Sequence, residues 1–227
     1  MANKDRREKI RDREEVRALV VDHLTELGFV HSGGAFELLG PLTKERIRKL
    51  YEGARQAKAE KNRDFLGRYF KELADHFASG GDLDPSRISP VLEIVETGGE
   101  SARVFRLATL LWSVPVSAGY GRRMRFVVRD AYNGKVIGIF ALGDPVFNLK
   151  ARDQWIGWDS EDRKHRLSHV MDAYVVGAVP PYSLLIGGKL VALLTTCSEV
   201  RELHRLKYSG RTSVITQDRT YTPDLPP

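Results

Sequence analysis

Several things are scarce in this sequence, and each shortage closes off a class of protein. A single cysteine, Cys197, occurs in 227 residues, which excludes an intrachain disulfide and a cysteine-based zinc cluster. No apolar run approaches the length of a membrane span and 29% of the residues are charged, so a simple transmembrane protein is excluded and no membrane partner is expected. The opening stretch MANKDRREKIRDREE carries charge where a secretory signal needs an apolar core, and a cytoplasmic location is expected. HEXXH, GxxxxGK[ST] and GxGxxG are all absent, so no zinc protease, P-loop or dinucleotide fingerprint is present. His165 and His169 are spaced four apart in an expected helix and read as a solvated pair, not a metal site.

What is present is enough apolar residue, 42%, to bury a core, and a net charge of +6 with an isoelectric point near 9.4. Up to Pro90 there are 18 Lys and Arg against 16 Asp and Glu, and beyond it 18 against 14. The positive excess is spread along the chain, so only local clusters can argue for a phosphate-rich partner.

Residues 6–27 place Val16, Leu19, Val20, Leu24 and Leu27 at three- and four-residue steps, which predicts an amphipathic helix ended by Gly28. Thr43 is a good N-cap for a second helix to about residue 59, and a third is expected over 63–78, with Phe65, Leu66, Tyr69, Phe70, Leu73 and Phe77 on its buried side. Arg46, Arg48, Lys49, Lys58 and Lys61 make this trio a candidate nucleic-acid arm, although interspersed carboxylates favour a plain packing unit. ASGGDLDPSRISP then marks a linker. Residues 1–80 are expected as a helical N-terminal part, 81–90 as the linker and 91–227 as an α/β core.

Within that core VLEIVET predicts a strand and ESARVFRLATLLW a helix. RRMRFVVRD and VIGIFALGD, joined through Asn133-Gly134, predict a hairpin, because Asn-Gly accepts the positive φ of a tight turn. A short helix over 160–169, a buried strand over 170–179, one long helix from Gly187 to about Lys207 and a final strand in TSVITQD complete the expectation. Cys197 is expected as a buried residue of that long helix. The fold class is α/β (α+β): a mixed central sheet with covering helices.

Candidate function concentrates between Trp112 and Arg201. Arg123, Arg125 and Arg129 alternate onto one face of a strand, with Arg122 on the other, and Tyr120, Trp155 and Trp158 offer flat faces for bases. The competing reading is an outward sheet face beside two structural tryptophans. Asp144, Asp153 and Asp159 are candidate carboxylates for metal-dependent nucleic-acid cleavage, although Asp159 or Ser160 is also the natural cap of the next helix and Asp144 a turn former. Gly187 and Gly188 open a helix where backbone N–H groups can meet a pyrophosphate, with Lys189 adding charge; close helix packing explains the glycines equally well.

The pieces GRRMRF, NGK, ALGDPVFNL, ARDxWIGW and VPPYxxxxGGKL, within about residues 101–211, resemble the DruA family of bacterial Druantia anti-phage systems. The resemblance implies a cytoplasmic bacterial protein tied to antiviral defence, acting beside other defence-system proteins, and a core shortened at its C-terminus relative to the family. It brings no catalytic residue with it. The hairpin, long strand and glycine-opened helix also resemble the core of GNAT-type N-acyltransferases, which implies acetyl-CoA or another acyl-CoA held at Gly187, Gly188 and Lys189. The usual R/Q-x-x-G-x-G/A pattern is replaced here by LLIGGKL. The expected function is a defence component that acts on or binds nucleic acid, with an acyltransferase-like core, a non-catalytic DNA- or RNA-binding recruitment module and a metal-dependent nuclease as alternatives.

Overall fold

The computed structural model describes residues 12–112, 116–119, 121–185 and 187–211. They fall into two compact units divided between Ala57 and Lys58.

The first unit starts with α1 (Arg13–Glu26), capped by Asp12, whose carboxylate accepts from the Glu14 N–H. Its apolar stripe is real but uncovered: none of its residues is buried, and Val16, Leu19 and Val20 are exposed. The stretch between the first two expected helices, for which no element is expected from sequence, folds into a hairpin, β1 (Phe29–Ser32) and β2 (Ala35–Leu38), paired antiparallel from Phe29↔Leu38 to Ser32↔Ala35. Gly33 and Gly34 make its two-residue turn at φ +58° and +85°, a geometry closed to most side chains. The second expected helix divides at Tyr51 into α2 (Lys44–Leu50), capped by Thr43, and α3 (Glu52–Lys61), which runs across the division between the units.

The second unit is built on a four-stranded sheet of order β3-β4-β5-β6: β3 (Pro90–Ile94), β4 (Arg123–Asp130), β5 (Val136–Gly143) and β6 (Asp172–Ala178). The expected central sheet with covering helices is present, but it is not mixed: each of its pairings among the described residues is antiparallel. One face packs against α4 (Arg63–Ala74) and α5 (Glu100–Leu110), through Phe65, Leu73, Val104, Phe105 and Ala108. The other packs against α8 (Gly187–Leu194) and α9 (Ser198–Tyr208), through Val191, Val200 and Tyr208. Between β5 and β6 the chain makes an excursion through α6 (Lys150–Ile156) and α7 (Ser160–Arg166); α6 falls in a stretch for which no helix is expected from sequence.

Alternation explains which side chains reach which layer. Met124, Phe126 and Val128 of β4 join the α8/α9 core, whereas Val127 joins the α4/α5 core, on the face that also carries Arg123, Arg125 and Arg129. In β5 the alternation changes phase: Val136, Ile139 and Ala141 go to one core and Ile137, Phe140 and Leu142 to the other. A register shift opposite Val128 and Arg129 supplies the extra residue. Phe126 and Phe140 stack with centroids 4.6 Å apart on the α8/α9 side.

Several expectations are corrected. The buried strand is β5, in which every residue is buried; β6 stands at the edge of the sheet among the described residues, with Asp172, Ala173 and Val176 exposed. The Asn133-Gly134 hairpin has a four-residue loop, 131–134, closed by Asp130 N–H to the Lys135 carbonyl at 2.8 Å, with positive φ at Gly134. The long helix breaks into α8 and α9, because the Thr195 and Thr196 hydroxyls donate to the carbonyls of Ala192 and Leu193 and close α8. Cys197 is therefore the extended N-cap of α9, half-buried, and not a buried helix residue. The strand expected in TSVITQD lies outside the described residues.

Candidate functional site

A cleft of about 730 Å³ lies over the α4/α5 side of the sheet in the second unit. The start of α4, one side of α5, the loop 97–99, the segment 116–118, the start of β4 and Tyr174 of β6 enclose it. Helical spacing brings Ala102, Arg103, Arg106, Thr109 and Leu110 onto one stripe of α5, so two cations point where one apolar face would have sufficed. Strand alternation adds Arg123 and Arg125, and α3 adds Lys58. Five cationic side chains thus line the cleft, and among its described lining residues there is no carboxylate.

These cations are held mainly by neutral partners. The Arg106 fork donates to Asn62 Oδ1 at 3.1 and 2.7 Å and lies over the Phe65 ring at 4.1 Å. Arg125 lies over Phe105 at 5.7 Å, and Arg123 Nη1 donates to the Ala118 carbonyl at 3.2 Å. Arg103 sits over Tyr69 at 5.1 Å; the Glu72 carboxylate is 3.9 Å away, and among the described residues its buried Nε has no hydrogen-bond partner. Lys58 donates to the Thr109 carbonyl, and burial pushes its pKa down. Nearby Lys207 is also pushed down, first by burial and then by repulsion from Arg211, Arg125 and Arg123, as expected beside uncompensated positive charge. Burial pushes the Tyr174 phenol up, against the opposing pull of Arg125 and Arg123.

A separate polar frame fixes the start of β4. Arg122 is 4% exposed; its backbone N–H and Nε donate to the two oxygens of Asp144 at 2.8 and 2.7 Å, and its guanidinium meets His204 at 3.3 Å. The Tyr208 hydroxyl accepts from the Arg123 N–H at 2.7 Å and donates to the Arg123 carbonyl at 2.8 Å, while Lys207 donates to that carbonyl. Gly121 and Gly119 are required here. A Cβ at Gly121, with φ +49°, would stand 2.1 Å from Asp144, and one at Gly119 would stand 2.7 Å from the Tyr174 ring.

The residues expected from sequence to form a site are scattered over different surroundings, with two of the three arginines brought together. Arg129, at the far end of β4, is ion-paired to Glu93 and bonded to the Gly134 carbonyl. Trp155 stands 91% exposed on α6 and Trp158 is half-buried; neither lines the cleft. Tyr120 lies outside the described residues. Asp153 is buried between Arg152 and Arg163, at 2.7 and 2.8 Å, and the Arg163 bond holds its carboxyl below the usual range. Asp159 caps α7, its carboxylate accepting from the Asp162 and Glu161 N–H groups, which likewise lower its pKa. With Asp144 on Arg122, each of the three carboxylates serves a different local structure, and among the described residues no cluster of three metal-ligating side chains occurs.

At the start of α8 a Cβ on Gly187 would meet the Tyr182 carbonyl at 2.6 Å and Ala178 at 2.7 Å, whereas one on Gly188 would meet nothing within 4 Å. Gly187 borders a second cavity of about 210 Å³ lined by Pro85, Ile88, Pro90, Ile137, Leu185 and Leu190 together with Tyr182, whose hydroxyl is already bonded to Asp130. That apolar lining does not fit a pyrophosphate, which needs donors and positive charge around it. Sequence reasoning misses Arg103, Arg106 and Tyr174 as site residues and places Lys58 in an N-terminal arm. The available signal is the three-residue spacing of Arg103 and Arg106 on a helix that otherwise reads as core.

A family model described as Druantia protein DruA matches residues 41–226. A curated protein of Escherichia coli (strain UMEA 4076-1), the Druantia protein DruA, is 45% identical over 206 residues, covering 90% of this chain and 51% of its own length. The chain therefore spans about half the length of that relative. No solved structure matches. Among the described residues no helix is long and apolar enough to cross a membrane.

Proposed function

The chain belongs to the Druantia protein DruA family, and from that premise we propose that it is a nucleic-acid-binding component of bacterial anti-phage defence that works through the cleft lined by Arg123 and Arg125. The observation that carries this reading is the composition of the cleft: Lys58, Arg103, Arg106, Arg123 and Arg125 line it with no carboxylate among the described lining residues. Concentrated cations held mainly by neutral partners are what a phosphate backbone recognises, because neutralising phosphates releases their condensed counterions. The cleft offers cations, phenols and hydroxyls; binding, in concert with other proteins of the defence system, is the activity these groups support.

The test is fluorescence anisotropy with labelled oligonucleotides at two salt concentrations. Wild type is expected to bind, more weakly as salt rises, and the double variant Arg123→Glu/Arg125→Glu to lose at least tenfold in affinity while melting at the wild-type temperature. Acetyl-CoA serves as a competitor in the same assay. Undiminished binding by the double variant contradicts the reading, and displacement by acetyl-CoA as effective as by unlabelled oligonucleotide supports an acyl-CoA site in its place.

A further inference from the structure

The cleft has a floor that a phosphate backbone alone leaves unused. Phe65, Tyr69, Phe105 and Tyr174 line it alongside the cations, and three of these rings already lie beneath a guanidinium. Its volume, about 730 Å³, is in the range of roughly 300–1,000 Å³ that encloses one small organic ligand. A double helix presents its phosphates along an outer ridge and keeps its bases stacked inside, so it reaches the rim and leaves the floor empty. An unpaired nucleotide has one flat apolar face for an aromatic ring and one phosphate for an arginine, which is the pairing of surfaces the cleft contains.

One detail favours this occupant. Tyr174 is set against Gly119, whose missing Cβ lets the segment 116–119 close over its ring. One side of the ring is thereby held against that segment, so a base stacking on it costs little side-chain freedom.

We infer that the cleft admits an unpaired nucleotide of a single strand, its phosphate on Arg123 and Arg125 and its base on the aromatic floor at Tyr174. The inference rests on the nucleic-acid reading above and narrows it to single strands.

The experiment uses the full chain and three probes: a labelled oligothymidylate, a labelled hairpin duplex of similar length, and thymidine monophosphate as competitor. The single strand is expected to bind at least tenfold more tightly than the duplex. Tyr174→Phe, which keeps a flat ring, is expected to retain that preference, and Tyr174→Leu, which keeps apolar bulk, to lose about tenfold for the single strand and nothing for the duplex. Melting temperatures verify that both variants fold. Equal binding of strand and duplex, or a Tyr174→Leu variant that still prefers single strands, overturns the inference and leaves the nucleic-acid reading intact. Failure of both probes to bind overturns both. Thymidine monophosphate binding as tightly as the oligomer upholds the nucleotide pocket but assigns it to free nucleotides, and contradicts the polymer reading.

Discussion

Arg122 shows how a residue can sit beside a site and serve it only by holding its neighbour. Its guanidinium is buried on Asp144, which sets the backbone from which Arg123 reaches the cleft. Asp144→Ala removes the paired charge from an almost fully buried arginine, and chemical denaturation is expected to show a loss of about 3 kcal/mol. Gly121→Ala, which forces a side chain into both a positive φ and the Asp144 carboxylate, is expected to cost about 2 kcal/mol or more. Tyr182 makes a different prediction. Burial first of all, with the Asp130 carboxylate beside it, pushes its pKa up from 10.0 to about 12. A folded value above the unfolded one means that its contribution to stability is complete below pH 10 and is lost between about 10 and 12. Alkaline denaturation curves are expected to fall more steeply across that window for wild type than for Tyr182→Phe.

At the scale of elements, α8 separates two explanations of a glycine pair. If Gly187 is there for packing, Gly187→Ala drives a methyl into the Tyr182 carbonyl and Ala178, and thermal melts are expected to show a loss of about 1–3 kcal/mol. Gly188→Ala faces open space within a helix, and is expected to be neutral or to stabilise by up to about 1 kcal/mol. The sequence carries this ambiguity without resolving it, since a Gly-Gly step looks the same against a ligand and against a carbonyl packed onto it. Other elements are legible for clear reasons: β4 and β5 through their apolar runs around a turn, α7 through Asp159 as its cap, α5 through its spacing. What escapes is set by competition between neighbours. Thr195 and Thr196 close α8 although the apolar run before them would favour its continuation, and the edge position of β6 depends on which strand stands next to it, not on its own composition. The β1–β2 turn has a signal of its own, adjacent glycines between short apolar runs.

On the scale of the whole molecule the net charge of +6 is spread along the sequence, and folding is what concentrates it. Lys58, Arg103, Arg106, Arg123 and Arg125 come from three elements separated along the chain, so no local window of sequence displays the patch. Arg129 belongs to the same strand face by alternation, yet Glu93 on β3 neutralises it, a partnership visible only once the strands pair. If each cleft arginine contacts one phosphate, Arg123→Ala and Arg125→Ala are each expected to lower the slope of log affinity against log salt by about 0.7 on single strands, with Arg129→Ala leaving it unchanged. The measurement that tests the central claim most directly is photocrosslinking of an oligonucleotide carrying a photoreactive base, followed by peptide mapping. The cleft account predicts adducts on Tyr174 and on the α4 and α5 segments around Tyr69 and Phe105; adducts confined to α6 around Trp155, or to the first unit, would contradict it.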